Sequence, residues 1–194
     1  MRVFEINDHD LSLALKNQPL DMLLCYQLQS RDVSFIPIYE EQYYLCISKE
    51  LLTSLYNPEE QARLLSASTA DIADYIRCPF LASSYTSFLT EDFKNCCQEA
   101  GIIPQVFMET SSVLTRLSLC ISGLGTMFLS KSLKEQAATL FRPDMLSRLY
   151  MIPLAYQPYI AYHSLGFNYL RDKGLSPLGE SFVRLAQSLL SDNI

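Results

Sequence analysis

The chain has 194 residues, of which 49% are apolar and 19% are charged, and its formal net charge is −6 at pH 7. A chain of this length and composition buries roughly 70% of its unfolded surface, which excludes a disordered protein and predicts a globular one. The negative charge and the scattered lysines and arginines disfavour a nucleic-acid-binding surface, since such surfaces need clustered positive charge. No apolar run approaches the about 18 residues that cross a membrane, and the first residues do not resemble a secretion signal, so we predict a cytoplasmic protein.

The first part of the chain predicts a strand, a helix and a second strand. Residues 2–7, "RVFEIN", alternate between apolar and polar side chains as a half-buried strand does. Residues 8–18, "DHDLSLALKNQ", have leucines at helical spacing, with Asp8 or Asp10 as the N-cap. Residues 20–26, "LDMLLCY", form a short apolar run between turn residues, which indicates a strand buried on both sides.

Two strands and a helical region follow. The segments "VSFIPIY" (33–39) and "EQYYLCIS" (41–48) predict two separate strands, and Pro37 places the first of them at a sheet edge or a bend. Residues 49–76 have a helical pattern that is interrupted twice. The interruptions are at Asn57-Pro58 and at 66–69, where Ser68 or Thr69 is the expected N-cap of the next helix.

The middle of the chain predicts two consecutive strand-helix units. In the first unit, "PFLAS" (79–83) is a strand and "FLTEDFKNCCQEA" (88–100) is a helix that ends at Gly101. In the second unit, "IIPQVFMET" (102–110) is a strand that leads into a further helix. This arrangement implies a parallel sheet with right-handed crossovers.

The second helix and its exit contain a pair of glycines. Ser111 or Ser112 caps the helix "VLTRLSLCIS" (113–122), and Gly123 ends it in a left-handed conformation before the strand "TMFLS". A dinucleotide-binding loop would need a third glycine where this chain has Phe128, and it would open a helix instead of closing one. We therefore assign these glycines to local geometry.

No catalytic or metal-ligating pattern is present in the sequence. The six cysteines form no CxxC pair and only His9 and His163 could join them as ligands, so we expect reduced, buried thiols. No G-x-S-x-G motif occurs, and Glu40 and Glu41 point to opposite faces of a strand, which prevents them from acting as an acid–base pair. We predict no enzymatic activity, no metal and no cofactor. Five tyrosines in or close to residues 42–45 and 155–160 are interpreted as packing or dimer contacts first and as ligand contacts second: Tyr43, Tyr44, Tyr156, Tyr159 and Tyr162.

The order and spacing of the segments match a known pattern. Three features stand out in the segment "FLTEDFKNCCQEAGIIPQVFMETSSVLTRLSLCISGLGTMFLS". A helix ends in the pattern "aGi.P", in which lower-case letters mark less strict positions and the dot marks any residue. A strand that ends in an acidic residue then precedes a capped helix, and that helix closes with the pattern "GlGia.l". Further matching segments are "NQPLDMLLCY", "FIPIYEEQYYLCIS", "RCPFLAS" and "LYMIPLAYQPYIAYHSLGFNYLRDKGLSPLGESFVRLAQSLL". In this order they resemble the effector-binding domain of LysR-type transcriptional regulators, over essentially the whole chain. The family pattern continues with proline where this chain has Ser130.

The resemblance implies an α/β fold with two Rossmann-like lobes joined by two crossover strands, as in type 2 periplasmic binding proteins. Lobe I is expected to hold residues 1–42 and 158–194, and lobe II residues 43–157, with the crossing strands near Gln42–Leu45 and Ala155–Ile160. Since the chain aligns from the second strand of such domains, the first strand and first helix of lobe I are expected to be absent, as is the winged-helix DNA-binding domain. The sequence leaves open whether that segment was removed or whether another chain completes the sheet.

The resemblance also implies a small-molecule effector site between the lobes, where helix N-termini present N–H groups to anions. Three loops match the pocket positions, and their candidate residues are Tyr26 and Gln27; Ser84, Thr86 and Ser87; and Thr110, Ser111 and Ser112. Their hydroxyl groups suit a carboxylate or another polar metabolite. The alternative is that the serine and threonine hydroxyls only cap helices, at about 1 kcal/mol each, and the two roles can coexist.

The function implied by the resemblance is ligand sensing in a LysR-type regulator. Effector binding would favour one arrangement of the lobes and thereby change the geometry of the oligomer. The expected partners are a second copy of the chain in a homodimer, a tetramer in the full-length regulator, and DNA only through the winged-helix domain. The competing interpretation is a solute-binding or transport-related protein of the same fold, which the lack of an export signal disfavours. A small α/β enzyme is the third possibility, and it lacks a catalytic set of residues.

Overall fold

The computed structural model describes residues 2–3, 11–83, 88–154 and 162–191. The chain separates into two compact units. The first unit is Met1–Glu40 together with His163–Ile194, and the second is Glu41–Tyr162. Strands and helices alternate through the described residues, which confirms the predicted α/β class. Within these residues, no helix combines the length and the apolar character that a membrane crossing requires.

The secondary-structure elements are joined mostly by short connections. In chain order they are α1 (Leu11–Asn17), β1 (Leu23–Tyr26), β2 (Val33–Ser48), α2 (Lys49–Leu55), α3 (Pro58–Ser66), a 3-10 turn (Ile72–Tyr75), β3 (Pro79–Ala82), α4 (Phe88–Glu99), β4 (Gln105–Glu109), α5 (Val113–Ile121), β5 (Met127–Ser130), α6 (Lys131–Leu140), α7 (Pro143–Leu146), β6 (Leu149–Pro153), β7 (Tyr162–Leu170) and α8 (Pro177–Ser191). The helices predicted within 8–18, 49–76, 88–100 and 113–122 are confirmed. Most of the strand predicted at 2–7 lies outside the described residues. The N-cap predicted at Asp8 or Asp10 lies wholly outside them.

The strand β2 runs unbroken for 16 residues, so the prediction of two strands is wrong. Pro37 does not interrupt it, because an extended backbone suits the fixed φ of proline and the side chain is exposed. The pair Glu40–Glu41 simply continues the alternation of the strand. Glu40 is exposed, whereas Glu41 is 2% exposed and its carboxylate accepts the N–H and the hydroxyl of Ser132 at 2.8 and 2.5 Å.

The second half of β2 forms the centre of the second unit. It pairs antiparallel with both β5 and β6, so that Leu45 lies opposite Phe128 on one side and Ile152 on the other. Its side chains alternate between two apolar clusters, with Leu45 in the first and Cys46 in the second. Burial of each large apolar side chain in such a strand contributes about 1.5–3 kcal/mol. The first cluster also contains Tyr43, Ile47, Leu52, Tyr75 and Phe80, and the second Leu117, Ile121, Met127 and Leu129.

The strand β1 differs from its prediction in length and in burial. It covers only Leu23–Tyr26 and runs antiparallel to β7, which in turn lies beside β2. Leu23 is 9% exposed, but the next residue, Leu24, is 56% exposed. Alternating burial of this kind is normal for an antiparallel strand with one face in water. The prediction of a strand buried on both sides is therefore wrong.

The predicted parallel sheet is present in part. The strands β3 and β4 are parallel neighbours, as the strand-helix-strand prediction requires. The strand that follows α5 does not extend this pair as a full third strand. It makes one parallel bridge, between Phe80 and Thr126, and from Met127 onwards β5 pairs antiparallel with β2.

The structure corrects the predicted cap at Ser68 or Thr69. Asp71 caps the 3-10 turn instead, and its carboxylate accepts a backbone N–H inside the turn at 2.9 Å. The cause is a tertiary contact, because the N–H of Ala70 donates to the carbonyl of Pro153 at 2.7 Å and holds the preceding chain outside the turn. Local sequence contains no information about that contact.

Two glycines after α5 have the geometric roles predicted for them. Gly123 has a φ of +79° and donates its N–H to the carbonyl of Cys120 at 3.0 Å, which ends the helix. A Cβ added to Gly125 would lie 2.9 Å from the carbonyl oxygen of Pro79 and 2.9 Å from Cγ of Leu81. Glycine is required here because the chain passes directly against β3.

A third glycine supports a test of the first unit. A Cβ added to Gly166 on β7 would lie 2.3 Å from the carbonyl oxygen of Ile36 on β2, so one strand would have to move. We expect Gly166→Ala to lower the free energy of unfolding by about 3 kcal/mol. Gly174→Ala is the control, because its Cα faces open space and only its φ of +63° opposes a side chain, at about 1–2 kcal/mol. Urea denaturation followed by circular dichroism measures both losses, and equal losses would contradict this packing of β7 on β2.

Candidate functional site

The parallel pair β3–β4 places two connecting loops side by side in the second unit. The N–H of Thr110, just after β4, donates to the carbonyl of Ala82 at the end of β3 at 3.1 Å. Ser83 follows β3, and the loop 110–112 leads into α5. At such an edge the carboxyl ends of parallel strands meet the N-termini of the following helices, and α/β folds bind ligands there.

The loop 110–112 is held by its own hydroxyl groups. The Ser112 hydroxyl accepts the N–H of Thr115 at 3.2 Å and is the N-cap of α5. The Thr110 hydroxyl accepts the N–H of Ser112 at 3.3 Å. Of the two predicted caps, the structure therefore confirms Ser112 and leaves Ser111 exposed in the loop. Ligand contact by any of these three hydroxyls stays a prediction.

A buried arginine lies directly beside this loop. Arg116, in the first turn of α5, is 5% exposed, and one N–H of its guanidinium donates to the carbonyl oxygen of Thr110. Burial lowers the pKa of Arg116, yet a guanidinium keeps its proton at neutral pH. Among the described residues no carboxylate forms an ion pair with it. Within the described residues, the acceptor for this positive charge is therefore a neutral oxygen, the carbonyl of Thr110.

The sequence analysis missed Arg116, although a signal for it exists. Val113, Leu117 and Cys120 repeat at helical spacing and face the interior, and Arg116 lies within the same stripe. A lone cation inside an apolar helical stripe cannot reach water as easily as one on the opposite face. That pattern was visible in the sequence and pointed to a buried charge.

A recess opens next to Arg116 within the second unit. Its cavity volume is about 20 Å³, which is room for about one water molecule, so the recess is a shallow one. The ring of Phe93 packs 5.2 Å from that of Phe80 and 5.3 Å from that of Phe128, which gives an aromatic wall. The complete lining is Phe80, Leu81, Ala82, Ser83, Thr90, Phe93, Arg116, Met127 and Phe128. Hydroxyl groups and one guanidinium are therefore combined with a mainly apolar surface.

The predicted loop in the first unit is positioned by a second residue that the sequence analysis missed. Asn168 on β7 is fully buried, and its side-chain amide donates to the carbonyl of Tyr26 at 3.1 Å. Its amide oxygen accepts the N–H of Leu28 at 3.0 Å. These bonds hold the turn that contains Gln27, whose side chain is exposed. A polar residue at a buried position of the strand "YHSLGFNYL" was the available signal.

The structure brings only some of the predicted site residues together. Thr110, Ser111 and Ser112 share one loop of the second unit, close to Ser83 and Arg116. Tyr26 and Gln27 belong to the first unit, and their approach to the other loops stays a prediction. The remaining candidates, Ser84, Thr86 and Ser87, lie outside the described residues.

Other reactive groups have structural roles in the described part of the chain. All six cysteines are free and five are buried, as predicted. Burial raises the pKa of Cys25 to about 11 and that of Cys46 to about 12, so their thiols are unreactive at neutral pH. No group of three or more histidine, cysteine or acidic side chains among the described residues could hold a metal ion.

Two of the five tyrosines near the expected crossing strands, Tyr43 and Tyr44, have side chains that the structure describes, and both pack against apolar clusters. Tyr43 is 1% exposed and belongs to the first apolar cluster of the second unit. The ammonium group of Lys134 lies 4.2 Å from the ring centroid of Tyr44. Tyr156, Tyr159 and the side chain of Tyr162 lie outside the described part of the chain. Packing, the first of the two predicted roles, is confirmed for Tyr43.

The fold agrees with the family that the sequence matches. The LysR substrate binding domain matches residues 1–191, and the chain belongs to this family. No curated protein shows significant sequence similarity to the chain.

Solved structures of LysR-family regulators share the fold at low sequence identity. The effector binding domain of QuiR in complex with shikimate is 15% identical with a TM-score of 0.64, and the match covers 94% of this chain and 77% of that domain's chain. The C-terminal domain of a probable LysR family transcriptional regulator from Rhodococcus sp. RHA1 is 21% identical with a TM-score of 0.68. The match covers 94% of this chain and 81% of the Rhodococcus chain. The CcmR regulatory domain from Synechocystis PCC6803 in complex with 2-PG is 14% identical with a TM-score of 0.70. The match covers 93% of this chain and 78% of the CcmR domain's chain. These likenesses confirm the predicted type 2 periplasmic-binding-protein-like fold.

Two neighbouring serines allow the capping role to be tested. We expect Ser112→Ala to lower the free energy of unfolding by about 1 kcal/mol, because the N–H of Thr115 loses its acceptor. Ser111→Ala is the matched control and should change stability by less than about 0.5 kcal/mol. Urea denaturation of the two variants measures the difference. A larger loss for Ser111→Ala would show that the cap is wrongly assigned.

Proposed function

We propose that the chain is the effector-sensing domain of a LysR-type transcriptional regulator and that a small molecule binds at the carboxyl ends of β3 and β4. Membership of the LysR substrate binding domain family supports sensing as the general role. The observation that supports the specific position is the edge where β3 and β4 end, at which Arg116 is buried and donates to the carbonyl of Thr110 in the loop before α5. Strand carboxyl ends, a helix N-terminus and a buried cation together orient a small polar ligand.

The proposed mechanism is differential binding. An effector that binds one arrangement of the two units more tightly shifts the population towards it, by no more than the difference in binding free energy. In a regulator, this shift would change the geometry of the oligomer and so the spacing of the DNA-binding domains. The contact from Arg116 to the carbonyl of Thr110 supports the proposal, because it links the recess to the loop before α5.

The type of ligand is supported by two neighbours. QuiR was solved with shikimate and CcmR with 2-PG, so this fold accommodates small polar molecules. For this chain we propose a polar metabolite of similar size, bound without turnover, since the described lining of the recess has hydroxyls and a guanidinium but no histidine or carboxylate to act as a base. DNA contact through a separate winged-helix domain and a cytoplasmic location remain parts of the same proposal.

A thermal-shift screen tests effector binding. We expect at least one small polar metabolite to raise the melting temperature of the chain, because a ligand that binds only the native state stabilises it. The same compound should change transcription of a reporter gene controlled by the complete regulator, and Thr86→Ala combined with Ser111→Ala should weaken both effects. Thr139→Ala, an exposed threonine on α6, is the control.

Two outcomes would reject parts of this proposal. If no metabolite shifts melting and the double variant still regulates as the wild type does, the site is wrongly assigned. If the chain converts any screened compound into product, the non-enzymatic role is wrong. Recovery of the native protein from a periplasmic fraction would favour the solute-binding alternative.

We also propose that the chain forms a homodimer and that a second copy covers β4. All five residues of this strand are exposed, and among them are Val106, Phe107 and Met108 at 41%, 54% and 39%. Ile103, just before the strand, is 91% exposed. Within the described residues β4 pairs only with β3, so its other edge has backbone groups available for a partner. A second copy is the favoured partner because LysR-family regulators oligomerise.

Sedimentation velocity tests this interface. We expect Phe107→Glu to shift the chain from dimer to monomer, because it places a charge in a desolvated contact. Gln105→Glu is the matched control, since it adds the same charge at another exposed position of β4 and should have a much smaller effect. A dimer that withstands Phe107→Glu unchanged would exclude β4 as the interface.

A further inference from the structure

The helix α8 has more apolar surface than the first unit covers. On one side of the helix Val183 is 4% exposed, and the ring of Phe182 packs 5.7 Å from that of Phe167 on β7. On an adjacent side three leucines are 73%, 55% and 61% exposed: Leu178, Leu185 and Leu189. A surface helix normally has one apolar stripe, which faces its own core. The helix α8 therefore has a second apolar stripe that is exposed to solvent.

The spacing of this second stripe indicates which kind of surface fits it. The exposed leucines and Phe182 recur at intervals of four, three and four residues, and we name them the α8 seam: Leu178, Phe182, Leu185 and Leu189. Alternating intervals of four and three are those of the a and d positions of a heptad, whose side chains insert between the side chains of a facing helix. The α8 seam therefore fits a second helix better than it fits a strand or a small ligand.

The residues beside the α8 seam are small and uncharged. They are Gly179, Ser181, Ala186 and Ser188. The two charged residues of α8, Glu180 and Arg184, point away from the seam, since they occupy the f and c positions of the heptad.

This lack of charge favours a second copy of the chain as the partner. Two copies that each have a net charge of −6 repel one another, so they associate most easily through surfaces without charge. A charged partner, in contrast, would find no opposite charge among the four residues beside the seam. The α8 seam is therefore better matched to its own copy than to a strongly acidic or basic protein.

Two copies of the α8 seam can meet in an antiparallel pair. A twofold axis brings the same surface of both copies together, so every contact occurs twice. In this arrangement Leu178 lies opposite Leu189 of the second copy, and Phe182 lies opposite Leu185 of the second copy. The two helix dipoles then point in opposite directions, which is more favourable than a parallel alignment. Such a pair buries the three exposed leucines.

We propose that α8 forms a second interface between copies of the chain, in which two α8 helices pair antiparallel through the α8 seam. The proposal goes beyond the β4 dimer, because β4 belongs to the second unit and α8 to the first. One twofold interface closes with two copies, whereas two different twofold interfaces can join four. The β4 and α8 surfaces together therefore account for a tetramer.

The α8 interface is weak in the isolated chain. It contains four large side chains from about three turns of one helix, which is less than a stable protein interface needs. We therefore expect the chain to be a dimer through β4 at about 5 µM and to form tetramers only above about 100 µM.

Sedimentation velocity at about 5 µM and about 500 µM tests the proposal. We expect the wild-type chain to change from dimer to tetramer between the two concentrations. Leu185→Glu should remain a dimer at both, because a charge in a desolvated helix contact opposes association. Phe107→Glu, which disrupts β4, should be a monomer at the lower concentration and should begin to associate at the higher one.

The matched control is Arg184→Gln. It lowers the net charge by one, as Leu185→Glu does, and it changes the adjacent exposed residue on the other side of α8. The ion pair of Arg184 with Glu180 is exposed and spans 3.9 Å, so its loss has little effect on stability. Arg184→Gln should therefore associate as the wild type does. Thermal unfolding followed by circular dichroism should place both variants within about 3 °C of the wild type, since both side chains are exposed.

Disulfide trapping tests the same contact even if Leu185→Glu does not fold. We expect a mixture of Leu178→Cys and Leu189→Cys to give a cross-linked dimer under mild oxidation with diamide, and either variant alone to give much less. The wild-type chain is the background control, because five of its six cysteines are buried. If Leu185→Cys cross-links with itself and the mixture does not, the antiparallel pair is contradicted.

Three outcomes would overturn the α8 interface. The first is a wild-type chain that is no larger than a dimer at about 500 µM. The second is Leu185→Glu that associates as the wild type does. The third is the absence of a cross-link in the cysteine mixture while Leu178→Cys in the complete regulator resists a maleimide, because another segment then covers the seam.

Failure of the α8 interface can be separated from failure of the β4 dimer. If Leu185→Glu still forms tetramers and Phe107→Glu is a monomer at both concentrations, the β4 dimer stands and the α8 interface is wrong. If Phe107→Glu associates as the wild type does and Leu185→Glu abolishes association, the α8 interface stands and the β4 dimer is wrong.

Discussion

The hydrogen-bond register of β2 is the constraint on which most of the structure depends. In the second unit this strand lies between β5 and β6, and in the first unit it lies beside β7. Its alternating side chains supply both apolar clusters of the second unit, with Leu45 in one and Cys46 in the other. A shift of one residue would exchange these faces and would move the buried carboxylate of Glu41 away from Ser132. The register is therefore set by the cores on either side of the strand.

The candidate site depends on this arrangement without being part of the strand. Phe128 on β5 lies opposite Leu45 of β2, and its ring packs against Phe93 of α4 to close the aromatic wall of the recess. Arg116 lines the same recess and is 5% exposed, and no described carboxylate forms an ion pair with it. Under the proposed function, this uncompensated charge would favour a polar ligand at the edge where β3 and β4 end.

Local signals predicted the elements that local chemistry determines. The helices α4 and α5 follow from helical spacing of apolar residues, and Gly101 and Gly123, with φ of +64° and +79°, end them because glycine tolerates a left-handed backbone. Predictions that depended on distant partners were less successful. The exposure of Leu24 and the late start of the 3-10 turn result from contacts with β7 and with the end of β6, which lie far away in sequence.

By itself the sequence determined the α/β class, most helices and strands, and the family, because propensity, periodicity and capping act over a few residues. It also identified the loop 110–112, since hydroxyl residues before a helix are visible in any sequence. Only the tertiary structure decided that Arg116 lines a recess and that Asn168 holds the turn after β1. The bond from Leu28 to Asn168 joins residues 140 positions apart, and the recess beside Arg116 is lined by residues of α4, α5, β3 and β5. Contacts over such distances are set by how the elements pack, and no local pattern specifies them.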